Sequence, residues 1–162
     1  MDRSTTGGGD SAATALYFED YVVGASREIG SAEIDQDEII EFARRYDPQP
    51  MHVDPVWAAS GPFGGIIASG WQTAAITMRV LVPNFLSAAS SIASPGIDEL
   101  RWHAPVRPGD RLRIKVTVIE ARRSTSKPDR GLVRSLVEVA NQRGEAVLSM
   151  KGLNMVRCRT AG

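Results

Sequence analysis

The spacing of apolar residues changes along this chain, from helical intervals in the first half to alternation in the last third. Asp35 stands three residues before Glu38, a capping-box spacing, and Ile39, Phe42, Ala43 and Tyr46 follow at helical intervals. A helix from about Gln36 to Arg45 is predicted. Pro48 and Pro50 forbid its continuation and hold the chain between them extended, which fixes the direction in which His52 leaves the backbone. Asp54-Pro55 reads as an N-cap with proline at the first helical position, giving a short turn through Ala59 that stops at Gly61-Pro62. A second main helix begins at Ser69-Gly70 and runs to about Val82, with Pro83 at its end. Its Trp71, Ala74, Ala75, Ile76, Met78, Val80, Leu81 and Val82 spread around most of the circumference, as in a helix enclosed by other elements.

Beyond it the period becomes two. Leu112, Ile114, Val116 and Val118 alternate with Arg113, Lys115 and Thr117, and the segments 132–139 and 146–156 are also strand-like. Turn signals at Arg107-Pro108-Gly109-Asp110, Lys127-Pro128-Asp129-Arg130-Gly131 and Asn141-Gln142-Arg143-Gly144 separate them. Near the start, Tyr17 to Gly24 and Ser26 to Ile34 read as strand or extended chain. Helices early and antiparallel strands late, around one enclosed helix, predict an α+β domain whose sheet wraps that helix.

The 162 residues suffice for one domain, placed at 16–162, that buries roughly 70% of the surface of its unfolded chain. Residues 1–15 are rich in Gly, Ser and Thr with no apolar core, unlike a secretory signal, and are expected to form a flexible tail. Nineteen basic residues balance nineteen acidic ones, so bulk charge suggests neither a nucleic-acid nor an anionic-membrane partner. Arg107, Arg111, Arg113, Lys115, Arg122 and Arg123 are expected mainly on a solvated face. A lone Cys158 excludes an internal disulfide or a CxxC metal knuckle and fits a reducing compartment, with the cytoplasm the default. No apolar run approaches the roughly 20 residues of a membrane span.

Candidate chemistry concentrates in Asp47-Pro48-Gln49-Pro50-Met51-His52 and in Phe63-Gly64-Gly65-Ile66-Ile67-Ala68-Ser69-Gly70. A carboxylate and an imidazole on one proline-stiffened stretch can share proton-transfer work. The free backbone N–H groups of a helix N-terminus can meet a developing negative charge, and Gly70 lets a ligand approach them closely. Taken singly, Asp47 is a common turn residue before proline and His52 a common core residue; their joint spacing favours function. Asp54 is better explained as a cap, and His103, the only other histidine, is given a structural role, so no metal site is expected.

Tyr46 to Asp54, Phe63 to Gly70, and Leu100-Arg101-Trp102 with Pro105-Val106-Arg107-Pro108-Gly109-Asp110 together resemble the MaoC-like dehydratases, which include the (R)-specific enoyl-CoA hydratases. The resemblance covers most of the chain after about Leu16. It implies a hot-dog fold, usually dimeric, in which a curved antiparallel sheet wraps a long helix and an acyl-thioester site lies near the subunit interface. It also implies Asp47 and His52 as the acid–base pair, Gly70 as the oxyanion donor, and no metal or redox cofactor. Two positions depart from the family pattern: Gln49 stands where it has Asn, and Ser69 where it commonly has His. Gln49, Ser69 and Trp71 are expected beside the substrate, whose carrier is CoA or an acyl carrier protein. The implied activity interconverts 2-enoyl and 3-hydroxyacyl thioesters. A hot-dog thioesterase and a non-catalytic thioester-binding domain stand as alternatives.

Overall fold

The computed structural model describes residues 15–160. The tail expected at 1–15 therefore lies outside the described residues, save Ala15. The element order is β1 (Ser26–Glu33), α1 (Gln36–Tyr46), α2 (Pro50–Val53), α3 (Pro55–Ser60), α4 (Gly70–Asn84), β2 (Ser91–Trp102), β3 (Arg111–Arg123), β4 (Arg130–Ala140) and β5 (Ala146–Arg157). All strand pairs are antiparallel, and the sheet runs β1-β3-β4-β5-β2. This curved sheet around α4 is the hot-dog arrangement that the resemblance implies.

Alternation on β3 and β4 sends Leu112, Ile114, Val116, Val133, Val137 and Val139 inward, where they meet Ile76, Val80 and Leu81 of α4. Gly30 on β1 takes a positive φ of 149° at a register shift, and a Cβ there would stand 3.0 Å from Val80 Cγ1. A side chain at that position would push α4 off the sheet. Just past the C-terminus of α4, the Tyr21 hydroxyl donates to the Phe85 carbonyl at 2.8 Å, and the two rings meet edge to face.

Asp35 caps α1 through the Glu38 N–H, as its spacing predicts, and Asp54 caps α3 through the N–H groups of Val56 and Trp57. Two expectations are corrected, and two elements, α2 and β2, were not foreseen. Tyr17 to Gly24 is not a strand: Phe18–Asp20 forms one 3-10 turn, closed by the Asp20 carboxylate accepting from the Tyr17 N–H. The chain between Pro48 and Pro50 is extended at Gln49 (ψ 143°), as expected, and Pro50 then opens α2, a short helix not foreseen from the sequence, because proline at the first helical position has no N–H to waste. β2 carries no alternating signal and holds Pro95 and Gly96, yet it is a twelve-residue strand, formed through its pairing with β5. Finally, α4 is not enclosed all round: Trp71, Met78 and Val82 form an exposed stripe on the side away from β1.

Candidate active site

Three chain segments converge at the start of α4. α1 ends at Tyr46, and Asp47 leaves the helix as its C-cap, its N–H donating to the Ala43 carbonyl at 2.9 Å. α2 presents His52 back toward it. The extended stretch Ile67–Ser69 passes between them, tied by the Ile67 N–H to the Met51 carbonyl (3.2 Å) and the Ala68 N–H to the Val106 carbonyl (2.8 Å). The Pro105 to Asp110 segment, singled out in the sequence as a motif, thus holds this extended stretch through Val106.

The polar contacts of the pair leave little freedom. Ser69 Oγ donates to Asp47 Oδ2 at 2.6 Å, and Gln49 Nε2 donates to Oδ1 at 2.7 Å. The carboxylate therefore has a donor on each oxygen, and its pKa is held below the ordinary value of 3.8, chiefly by the Ser69 hydroxyl, then by Gln49 and the nearby imidazole. Burial opposes the shift but loses to these hydrogen bonds. His52 is 5% exposed, and its Nδ1 lies 2.7 Å from the Ile67 carbonyl oxygen. A carbonyl can only accept, so Nδ1 carries a proton; in a neutral ring Nε2 is then the acceptor. That Nε2 stands 3.4 Å from Asp47 Oδ2. When the ring is neutral both atoms are acceptors, and a water donating a hydrogen to each would satisfy them.

Of the other site residues expected from sequence, Ser69 and Gln49 bear on Asp47 directly, and both departures from the family pattern are used to hold the carboxylate. Ser69 Oγ also accepts from the Trp71 N–H at 3.3 Å, capping α4. The Gly70 N–H makes no hydrogen bond among the described residues. Gly70 has a packing duty as well: an added Cβ would lie 2.4–2.6 Å from ring atoms of Trp102, whose Nε1 donates to the Gly70 carbonyl at 2.9 Å. The chain before α4 could not reveal this contact, since Trp102 is 32 residues away. Trp71 is displaced outward; it lies edge to face on Trp102 at 5.2 Å. A cavity of about 250 Å³ opens beside the pair, lined by His52, Phe63, Gly70, Thr73 and Trp102.

His103 does not line the cavity beside the pair; its Nε2 lies 2.8 Å from Ser149 Oγ. Arg111, Lys115, Arg122 and Arg123 are engaged with Glu33, Glu138, Glu120 and Glu19 on the surface. No cluster of three or more metal-ligating side chains occurs among the described residues, and no helix there is long and apolar enough to cross a membrane.

An antiparallel sheet curved around one long helix defines the hot-dog class. Within that class the chain belongs to the MaoC-like domain family, whose sequence pattern matches residues 21–141. The MaoC-like dehydratase from Rhodospirillum rubrum superposes with a TM-score of 0.83 at 40% identity, over 90% of this chain and 99% of that one. The uncharacterized protein YdeM of Bacillus subtilis is 31% identical, covering 79% of this chain and 89% of its own. The 3-hydroxybutyryl-CoA dehydratase of Methylorubrum extorquens is 37% identical over 65% of each chain. At the level of the family, hydratase and dehydratase chemistry on thioesters is the activity these similarities support.

Proposed function

We propose that the protein hydrates 2-enoyl thioesters, and dehydrates 3-hydroxyacyl thioesters in reverse, with Asp47 and His52 as the acid–base pair and Gly70 as the oxyanion donor. The observation that carries this is the 3.4 Å approach of His52 Nε2 to Asp47 Oδ2, both acceptors when the ring is neutral. A water donating one hydrogen to each keeps a lone pair free for the β-carbon of the substrate. As the new C–O bond forms, the proton shared with His52 passes to Nε2, and the double-bond electrons move toward the thioester oxygen. The Gly70 N–H, at the positive end of α4, meets that charge. The proton on His52 then goes to the α-carbon, so the elements of water are added and the imidazole returns to its starting state. Asp47 remains ionised throughout, as its lowered pKa favours.

The chain acts as a homodimer in this proposal. β2 is an edge strand with a free side, Ile97 on it is 51% exposed, and α4 exposes Trp71 (59%) and Val82 (54%). A long bare edge beside an apolar stripe is an unstable surface unless covered, and a second copy in antiparallel register covers both at once. Sedimentation showing only monomer in an active preparation at micromolar concentration would exclude it. The cytoplasm is the proposed compartment, supported by the single cysteine.

The deciding experiment follows loss of the conjugated double bond across a panel of enoyl-CoA thioesters. Hydration without release of free CoA is expected. Free CoA from saturated acyl-CoA would instead make the protein a thioesterase, and binding without turnover would make it a thioester-binding domain.

A further inference from the structure

The turn between β3 and β4, predicted at Lys127 to Gly131, gathers positive charge that the proposed hydration leaves unused. Arg122 and Leu132 are register partners, and both face away from α4, because Val133, Val137 and Val139 take the inward positions of β4. Arg122 lies 3.8 Å from Glu120, a carboxylate already held by Arg134 at 3.1 Å. Arg130 grips Asp129 through Nε and Nη2, which leaves Nη1 without a partner among the described residues. Of the three lysines, Lys115 and Lys151 pair with Glu138 and Glu99, and Lys127 with no carboxylate among the described residues. Arg157 stands opposite Arg130 in the β4–β5 register. Four cations thus meet two carboxylates, in a chain whose formal net charge is zero.

The loop that carries them is tied at several points. The Ser124 N–H donates to the Arg130 carbonyl at 2.9 Å, the Arg130 N–H to the Lys127 carbonyl at 3.2 Å, and the Lys127 N–H to Ser124 Oγ at 3.1 Å. The Cys158 N–H holds the Asp129 carbonyl at 2.8 Å. Two successive N–H groups, of Thr125 and Ser126, make no hydrogen bond among the described residues, an arrangement that suits an anion. Arg122, Lys127 and Arg130 surround a cavity of about 410 Å³ whose floor is Leu132 and Met155, paired across β4 and β5. At about 30 Å³ per heavy atom, the share of a molecule in liquid water, that space exceeds a phosphate ion more than twofold. The cavity is separate from the one beside Asp47 and His52: it lies at the far end of β3, a thirteen-residue strand that spans about 40 Å.

We infer that this pocket binds a nucleoside diphosphate, its phosphates on Arg122, Lys127 and Arg130 and its base over Leu132 and Met155. Phosphate oxygens fit the donors on offer, since guanidinium, ammonium and backbone N–H groups donate and cannot accept. A bare anion would leave the apolar floor wet. A planar base matches the extent of two side chains, and the thioether of Met155 favours an aromatic ring. A nucleic acid strand needs a continuous path of cations with stacking aromatics, which a single pocket lacks. The same chemistry occurs in a free nucleotide and at the nucleotide end of a CoA carrier.

Calorimetric titration of the full chain with ADP, pyrophosphate and adenosine tests the assignment. ADP is expected to bind about tenfold more tightly than either fragment, because it alone meets both the cations and the floor. Lys127→Ala and Arg122→Ala are each expected to weaken ADP and pyrophosphate about tenfold, as loss of a charge-assisted contact does. Both side chains are exposed, so the melting temperature should not move. Met155→Gln is expected to weaken ADP and leave pyrophosphate unchanged, with Leu132→Gln as a second floor variant in case the first disturbs folding. Binding of CoA more tightly than ADP, with the same dependence on Lys127, supports the pocket and identifies the carrier as the source; tighter binding of ADP supports it and identifies a free nucleotide. No binding of ADP at millimolar concentration, ADP binding that survives both cation variants, or pyrophosphate binding as tight as ADP overturns the assignment.

Discussion

The two sides of α4 differ in kind. Toward β1 and β3 the helix is sealed: Val80 lies against Gly30, Phe85 against Tyr21, and the strand residues beneath are wholly buried. Toward β2 and α1 it is bordered by exposed tryptophans, a cleft between α1 and α4, and the polar pair at its start. Dense apolar packing on one side lets the other keep groups that packing alone would not select. Stability should therefore be lost by changes on the sealed side, and turnover by changes on the open one.

The sharpest way to break this contrast is Asp47→Asn or His52→Gln. Each is expected to lower kcat/KM by about 10²–10⁴-fold while leaving melting within a few degrees, and the double variant should be far from additive. Near-native turnover in a folded single variant would remove the pair from the chemistry. On the sealed side, Ile114→Ala deletes fully buried methyl groups and is expected to cost about 2–5 kcal/mol in denaturant unfolding. The folded fraction should retain its KM; a changed KM would mean that the two sides are coupled.

Gly70→Ala tests the boundary between them. From sequence alone it is expected to reduce turnover with little thermal effect, but the Trp102 contact revises that expectation. The methyl must displace the indole, at about 1–3 kcal/mol, and turnover should fall besides. Gly70→Ala combined with Trp102→Ala separates the two effects. Recovery of stability without turnover supports the oxyanion role, whereas recovery of both reduces Gly70 to packing.

Ser69→Ala is the mildest change. It removes a cap, at about 1 kcal/mol, and the largest cause of the lowered Asp47 pKa. A carboxylate whose folded pKa is lowered adds stability that is present above its unfolded value, near 3.8, and lost as pH falls through the folded value. The variant should raise the Asp47 pKa toward the ordinary value and lessen that acid loss. Carboxyl NMR titration of both proteins measures it, and an unmoved pKa would remove Ser69 from the clamp.

Local chemistry was legible in the chain wherever the decisive contacts are close in sequence. The caps at Asp35, Asp54 and Ser69, the alternation on β3 and β4, and the turn at Arg107 to Asp110 all follow from neighbours a few residues apart. The site was legible as a set of residues because proline spacing and a helix start mark them. What each does was less so. That Ser69 and Gln49 grip Asp47, and that Trp102 closes over Gly70, depends on how α1, α2 and β2 meet α4. β2 escaped notice for a similar reason: an edge strand exposed on both faces needs no alternation, and its partner β5 lies about fifty residues downstream.

Ser69 Oγ belongs to two structures at once, the first turn of α4 and the acceptor array of Asp47. Fraying of that turn and release of the carboxylate are consequently a single local opening, with a free energy well below that of unfolding the sheet. On warming, the Asp47 arrangement should disassemble reversibly while β3 and β4 still hold their hydrogen bonds. The temperature optimum of the proposed hydration would then report the integrity of one hydroxyl contact, and the melting temperature that of the sheet.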